Sequence, residues 1–291
     1  MCRAAESMAG NRVMEECRPT ASDEGETLEP QAYMVTQGEG FPIVFAHGMG
    51  VDHRSLMMLD RYFPERTQRI YLDLPGYGRT PALDGPGGLP EYVDWFCGAI
   101  DDILGPRAPF AVVGNSMGGV LARAVIARKP RRVAGVALIA PVIDPVIAHR
   151  RVAEHVVSEP NPDLMHKLPL DQVLDFIRMG VNQSFEAWRR YQMYVLPGIR
   201  AFDRAAYARL EARYWLAEDP ERAFGMFEGP TAIICGRQDQ IVGYEDQEEI
   251  LPHYPNARYA VIENAGHNVY VDRPEQVGAL LRDWAGQLPI R

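Results

Sequence analysis

Cysteine is scarce in this chain, with four among 291 residues, too few to staple a protein of this length. Cys2 and Cys17 fall in a polar leader, and no C-x-x-C pair offers a zinc or dithiol redox site. Neither H-E-x-x-H nor a Cys/His cluster is present, so no metal is expected. Positive charge is in deficit: 30 Lys and Arg against 39 Asp and Glu leave a net charge of −9, which argues against a binder of nucleic acid. No G-x-x-x-x-G-K or G-x-G-x-x-G lies between a strand and a helix, so no nucleotide cofactor is expected. No apolar run approaches the roughly 20 residues of a membrane helix, and residues 1–30 lack the apolar stretch of a secretory signal. The expectation is a reduced, cytoplasmic protein that acts on a small molecule, away from membranes, with homo-oligomerisation left open.

What is present points to a sizeable core, with 47% of residues hydrophobic and 24% charged. Residues 1–30 read as a disordered arm, with Met8 and Met14 as candidate alternative starts. From Gln31 onward, short apolar runs of strand length recur: Ile43–Ala46, Ile70–Leu72, Phe110–Val113, Val133–Ala140, Ala232–Cys235 and Tyr259–Ile262. Consecutive apolar positions fit strands buried on both faces. Helical faces lie between them, for example Val93, Phe96, Cys97, Ile100 and Leu104, then Val277, Leu280, Leu281, Trp284 and Leu288. The alternation predicts an α/β protein with a doubly wound, mostly parallel sheet. Residues 143–228 break it: prolines punctuate helical stretches rich in aromatics, including Trp188 and Tyr191. The expected organisation is a core of 31–142 and 229–291 interrupted by an all-helical cap over 143–228. The cap aromatics, Trp188 and Tyr191 among them, are expected to line a substrate cavity as well as to hold the short helices together.

The strongest chemical signal is Gly114-Asn115-Ser116-Met117-Gly118-Gly119, which follows an apolar run and opens a helix-compatible stretch. That is the context of a nucleophile elbow, where glycines leave room beside a serine held in a strained turn. A serine hydroxyl near neutral pH needs a base and an orienting acid. In the chain order Ser, acid, His, the sequence offers Asp239 after Ala232–Cys235 and His267 after Tyr259–Ile262. Each follows its own strand run, so the three converge at one edge of a parallel sheet. Asp144, after Val133–Ala140, is the alternative acid. Backbone amides must also face the developing oxyanion. Met117, next after the serine, and Met49, in His47-Gly48-Met49-Gly50, are the candidates, with the His47 side chain bracing the loop.

With these pieces in place the chain resembles the α/β-hydrolase superfamily: His47-Gly48, Asp73-Leu74-Pro75-Gly76-Tyr77-Gly78-Arg79-Thr80, the Ser116 elbow, Gly236-Arg237-Gln238-Asp239 and Gly266-His267 all match. The resemblance runs from about residue 33 to the end, and the helical insertion is similar to that superfamily's cap. Within it, the elbow resembles that of the meta-cleavage-product (C–C bond) hydrolases, which implies a substrate-binding role for Asn115. Asn268 stands where those enzymes carry tryptophan, and Arg189, Arg190 and Arg213 are cap arginines that could meet a carboxylate. Serine rather than aspartate at 116 separates the chain from haloalkane dehalogenases and epoxide hydrolases. The implied activity is that of a serine hydrolase working through an acyl-enzyme on a small-to-medium apolar ester or thioester. A C–C hydrolase, an acyltransferase and a non-catalytic binder on the same fold stay open as alternatives.

Overall fold

The strand runs read from the sequence assemble into one seven-stranded sheet in the computed structural model, which describes residues 31–290 except for the side chains of 171 and 172. The leader 1–30, expected to be a disordered arm, lies outside the described residues. The first half runs β1 (Met34–Gln37), β2 (Phe41–Ala46), α1 (Arg54–Met57), β3 (Thr67–Leu72), α2 (Leu89–Leu104), β4 (Phe110–Asn115), α3 (Met117–Arg128) and β5 (Val133–Ile139). Six α-helices follow: α4 (Pro162–Lys167), α5 (Leu170–Met179), α6 (Phe185–Tyr194), α7 (Leu196–Ala201), α8 (Arg204–Ala212) and α9 (Pro220–Phe224). The chain then re-enters the sheet with β6 (Thr231–Gly236), α10 (Asp246–Glu249), β7 (Ala257–Ile262), α11 (Val269–Asp272) and α12 (Pro274–Ala285).

The strand order is β1-β3-β2-β4-β5-β6-β7. β1 runs antiparallel to β3, and every other neighbouring pair is parallel. The α/β class and the doubly wound, mostly parallel sheet are therefore as expected. β1 had no counterpart among the sequence runs, because Met34-Val35-Thr36-Gln37 is a half-buried edge strand without a continuous apolar stretch.

Alternate residues of each strand feed the two faces. Val44, Ile70, Val112, Val136 and Ile233 pack with Phe96 and Ile100 of α2 and with Leu121 and Val125 of α3. Ile43, Phe45, Val113, Ile139 and Ile234 pack on the opposite face with Val277, Leu281 and Trp284 of α12. Each such fully buried side chain contributes about 1.5–3 kcal/mol. The start of α2 is secured by the Gly88 amide, which donates to the Glu91 carboxylate at 2.9 Å.

The helical segment is fastened to this core by charge as well as by apolar contact. Arg123 of α3 grips Glu221 of α9 with two hydrogen bonds of 2.6 Å, and the Tyr254 hydroxyl donates to the same carboxylate at 2.8 Å. Burial alone would raise the pKa of Glu221, but its Arg123 and Tyr254 partners hold it below the ordinary range. The pair joins α9 to the helix that Ser116 opens.

Candidate active site

The parallel strands all point their carboxyl ends one way, so the loops after β2, β4, β6 and β7 meet at one rim. Ser116, between β4 and α3, has φ 53° and ψ −113°, a conformation that costs an L residue energy. Close approach explains the flanking glycines. A Cβ on Gly114 would lie 2.2 Å from the Gly118 carbonyl oxygen, and one on Gly118 would lie 2.0 Å from that of Ala46. The turn is braced by the Ser116 amide donating to Ile139 O at 3.0 Å and by Gly119 and Val142 amides donating to Ser116 O.

Three sequence-selected side chains form a continuous hydrogen-bonded line. His267 Nε2 lies 3.0 Å from Ser116 Oγ, and His267 Nδ1 lies 3.0 Å from Asp239 Oδ2. Asp239 is fully buried, and its other oxygen accepts the amides of Ile241 and Val242 at 2.8 and 2.9 Å. That leaves Oδ2 for the imidazole and fixes the ring with its Nδ1 proton toward the acid. Asp144, the alternative acid, faces His149 at 3.2 Å and caps the Val146 amide instead.

The loop after β2 lies across from the elbow. His47 Nδ1–H donates to Gly48 O at 2.7 Å while Nε2 accepts the Leu74 amide at 3.0 Å, which requires a neutral imidazole. Burial pushes the His47 pKa down, with Asp73 opposing, so this histidine braces two loops and has no nitrogen free for proton transfer. Among the described residues, the amides of Met49 and Met117 donate no hydrogen bond. The Met117 amide belongs to the unpaired first turn of α3, where the helix dipole favours negative charge.

A cavity of about 350 Å³ opens above this line. Gly48, Met49, Asn115, Ser116 and His267 form its floor, while Tyr191, Val195, Ile199, Phe202 and Tyr207 come from the helical segment. Asn115 donates through Nδ2 to Ile139 O at 2.9 Å, which fixes its amide at the floor. Of the two cap aromatics singled out by sequence, Tyr191 lines the cavity. Trp188 does not: it stands behind Tyr191, ring centroids 6.0 Å apart, and packs edge-on against Phe176. None of the cap arginines raised by the sequence lines this cavity: Arg213 pairs with Glu91 at 3.1 Å, Arg190 donates to Val271 O at 2.8 Å, and Arg189 lies with Arg190 at a separate surface pocket beside Met57 and Arg61. Arg204, which the sequence did not single out, lies at the cavity with its guanidinium over Phe202. Nothing in its local pattern distinguishes it from a solvated arginine.

The one group of described acids and histidines close enough for a metal is Asp52, His53 and Asp73. Their ligand atoms are already engaged: Asp73 accepts His53 Nδ1 at 2.7 Å and the amides of His53 and Arg79, and Asp52 holds Arg54. The donor set is that of a braced loop and does not suit a cation.

A parallel sheet with a strained serine at the strand–helix turn, backed by a histidine and a buried acid, defines the alpha/beta hydrolase architecture. The model of the alpha/beta hydrolase family matches residues 43–280, and the chain belongs to that family and is a hydrolase. It is 25% identical over 261 residues to the (E)-2-((N-methylformamido)methylene)succinate hydrolase of Acinetobacter baylyi, covering 89% of this chain and 95% of that one. It is 22% identical to a monoacylglycerol lipase of Bos taurus, covering 83% and 74% of the two chains. Among solved structures, an alpha/beta superfamily hydrolase from Oenococcus oeni superposes with a TM-score of 0.81 at 28% identity, covering 88% of this chain and 96% of that one.

Proposed function

We propose that Ser116, His267 and Asp239 are a catalytic triad that hydrolyses a small-to-medium apolar ester or thioester through an acyl-enzyme. The observation that carries the reading is the unbroken hydrogen-bonded line from Asp239 through His267 to Ser116 at the floor of a cavity. As Ser116 Oγ attacks the carbonyl carbon, His267 Nε2 takes its proton, and the imidazolium is stabilised by Asp239. The amides of Met49 and Met117 are unspent donors suited to the oxyanion. His267 then protonates the departing alkoxide or thiolate, and water repeats the sequence on the acyl group to restore the serine.

Residues 143–228 act in this reading as the cap, with Tyr191, Val195, Ile199 and Phe202 offering apolar surface to the acyl or alkyl part. A cytoplasmic, reducing setting suits the free thiols of Cys97 and Cys235.

A second reading, C–C hydrolysis of a dienoate, rests on Asn115 beside the nucleophile and on 26% identity over 259 residues to a 2-hydroxymuconate semialdehyde hydrolase of Pseudomonas sp.. Assaying p-nitrophenyl esters of increasing acyl length beside one dienoate, with Ser116→Ala as control, separates the two. Ester turnover that the variant loses supports the first reading. Turnover of the dienoate alone favours the second, and turnover that survives in the variant overturns both.

A further inference from the structure

We propose that Asp272 is a positioning residue that ties the helical segment to the loop carrying His267, so that docking of the one and seating of the other are a single event. The proposal rests on the triad reading for its catalytic meaning, but its geometry stands apart from it. Asp272 is 2% exposed at the end of α11, and it spends one carboxylate oxygen on each partner. Oδ2 accepts the amide of Gly266, the residue before His267, at 2.8 Å. Oδ1 accepts the amide of Asn182, between α5 and α6, at 3.2 Å, and Asn182 Nδ2 donates back to Asp272 O at 3.3 Å. The two segments also lie close together: a Cβ on Gly266 would come within 2.8 Å of Cγ2 of Val181, the residue before Asn182.

Further links surround this joint. Arg190 of α6 donates to Val271 O at 2.8 Å, and Arg273 pairs with Glu159 at 2.5 Å. Glu159 is bridged in turn to Asn182. The charged and titratable groups around Asp272 are therefore Arg273 beside it, Arg190 and Glu159 from the helical segment, and Tyr270 on its own helix.

Burial raises the pKa of Asp272 to about 7, against the pull of the Gly266 and Asn182 amides and of Arg273 and Arg190. The sign of the linkage follows. A carboxyl whose pKa is raised in the docked state stabilises docking when protonated, and that stabilisation is lost as pH rises from its ordinary value of 3.8 toward about 7. Opening lets water reach the carboxylate, so ionisation favours release of the segment and of the Gly266 amide together.

Hydrogen exchange on the intact chain tests this without any substrate. After correction for intrinsic rates, exchange in the peptides spanning Asn182 and Gly266 should accelerate together, by about tenfold per pH unit through the acid range, and level off above about pH 7. Asp272→Asn should remove the step from both peptides. Should that variant fail to fold, coincidence of the two steps in the wild type remains the test. A step in only one peptide, no step at all, or a step that persists in Asp272→Asn overturns the proposal. Failure of the triad reading would appear separately, as ester turnover indifferent to Ser116→Ala.

Discussion

The sheet with its elbow and the helical segment between β5 and β6 solve the problem of burial in opposite ways. In β4 every residue from Phe110 to Asn115 is buried, and α3 is buried on nearly all sides from Met117 to Ile126. In the helical segment, α5 leaves Leu170, Leu174 and Ile177 exposed along one face while Val173 and Phe176 are buried on another. Every large apolar side chain that stays exposed among the described residues falls within 143–228, from Val146 to Met226. One region is held rigid by packing on both sides. The other is held by one face and a few polar fastenings, which is where local opening concentrates.

The most severe test of that contrast is at the elbow. Ser116→Ala should lower kcat by about 10⁶-fold, the scale seen when a hydrolase nucleophile is removed, with Tm unchanged, since the hydroxyl adds little to packing. Measured turnover and calorimetry check both halves. Asp239→Asn should cost about 10⁴-fold in kcat, because the amide would orient His267 in the wrong tautomer. A larger loss in Asp144→Asn than in Asp239→Asn would reverse the assignment of the acid.

At the junction between the regions, Glu221→Gln leaves the buried Arg123 charge without its counter-ion and should destabilise by about 3–5 kcal/mol in denaturant unfolding. The same pair gives a pH dependence. Glu221 sits below its ordinary pKa of 4.5, so its stabilisation is complete above that value and disappears as pH falls through the folded pKa. Glu221→Gln should flatten that acid slope. On the outer face of α5, Ile177→Ser should change stability by no more than about 0.5 kcal/mol, as expected of an exposed position. A loss of several kcal/mol there would mean that this apolar face is covered in solution.

The same contrast decides what could be read in advance. Strands β2 to β7 announced themselves because burial on both faces demands consecutive apolar residues, a constraint written locally into each run. Ser116, Asp239 and His267 were legible because each follows such a run at the same end of the sheet. In the helical segment, the identity of the cavity wall depends on how short helices lean on one another. Trp188 and Tyr191 lie on the same helix with the same aromatic character, yet only Tyr191 reaches the cavity while Trp188 backs it. Phe202, from the link after α7, and Arg204 and Tyr207, from α8, reach it through an arrangement that no spacing rule expresses. Asp272 reads in sequence as one more acid near a helix start, and its role is visible only when Asn182 is seen across from it.

One consequence follows from the pairing of Val136 with Thr231 and of Ile139 with Ile234, which fixes β5 and β6 as parallel neighbours, so that the chain leaving Ile139 must travel back along the sheet to enter β6 at Thr231. With both attachment points fixed in the sheet, flexible parts of the crossing segment can lengthen at little entropic cost, about 0.6 kcal/mol for each doubling of a flexible loop. The sheet therefore places little constraint on the length of the helical segment. Its length can change without any strand changing register, provided that Asn182 keeps its hold on Asp272 and, through it, on the loop that carries His267.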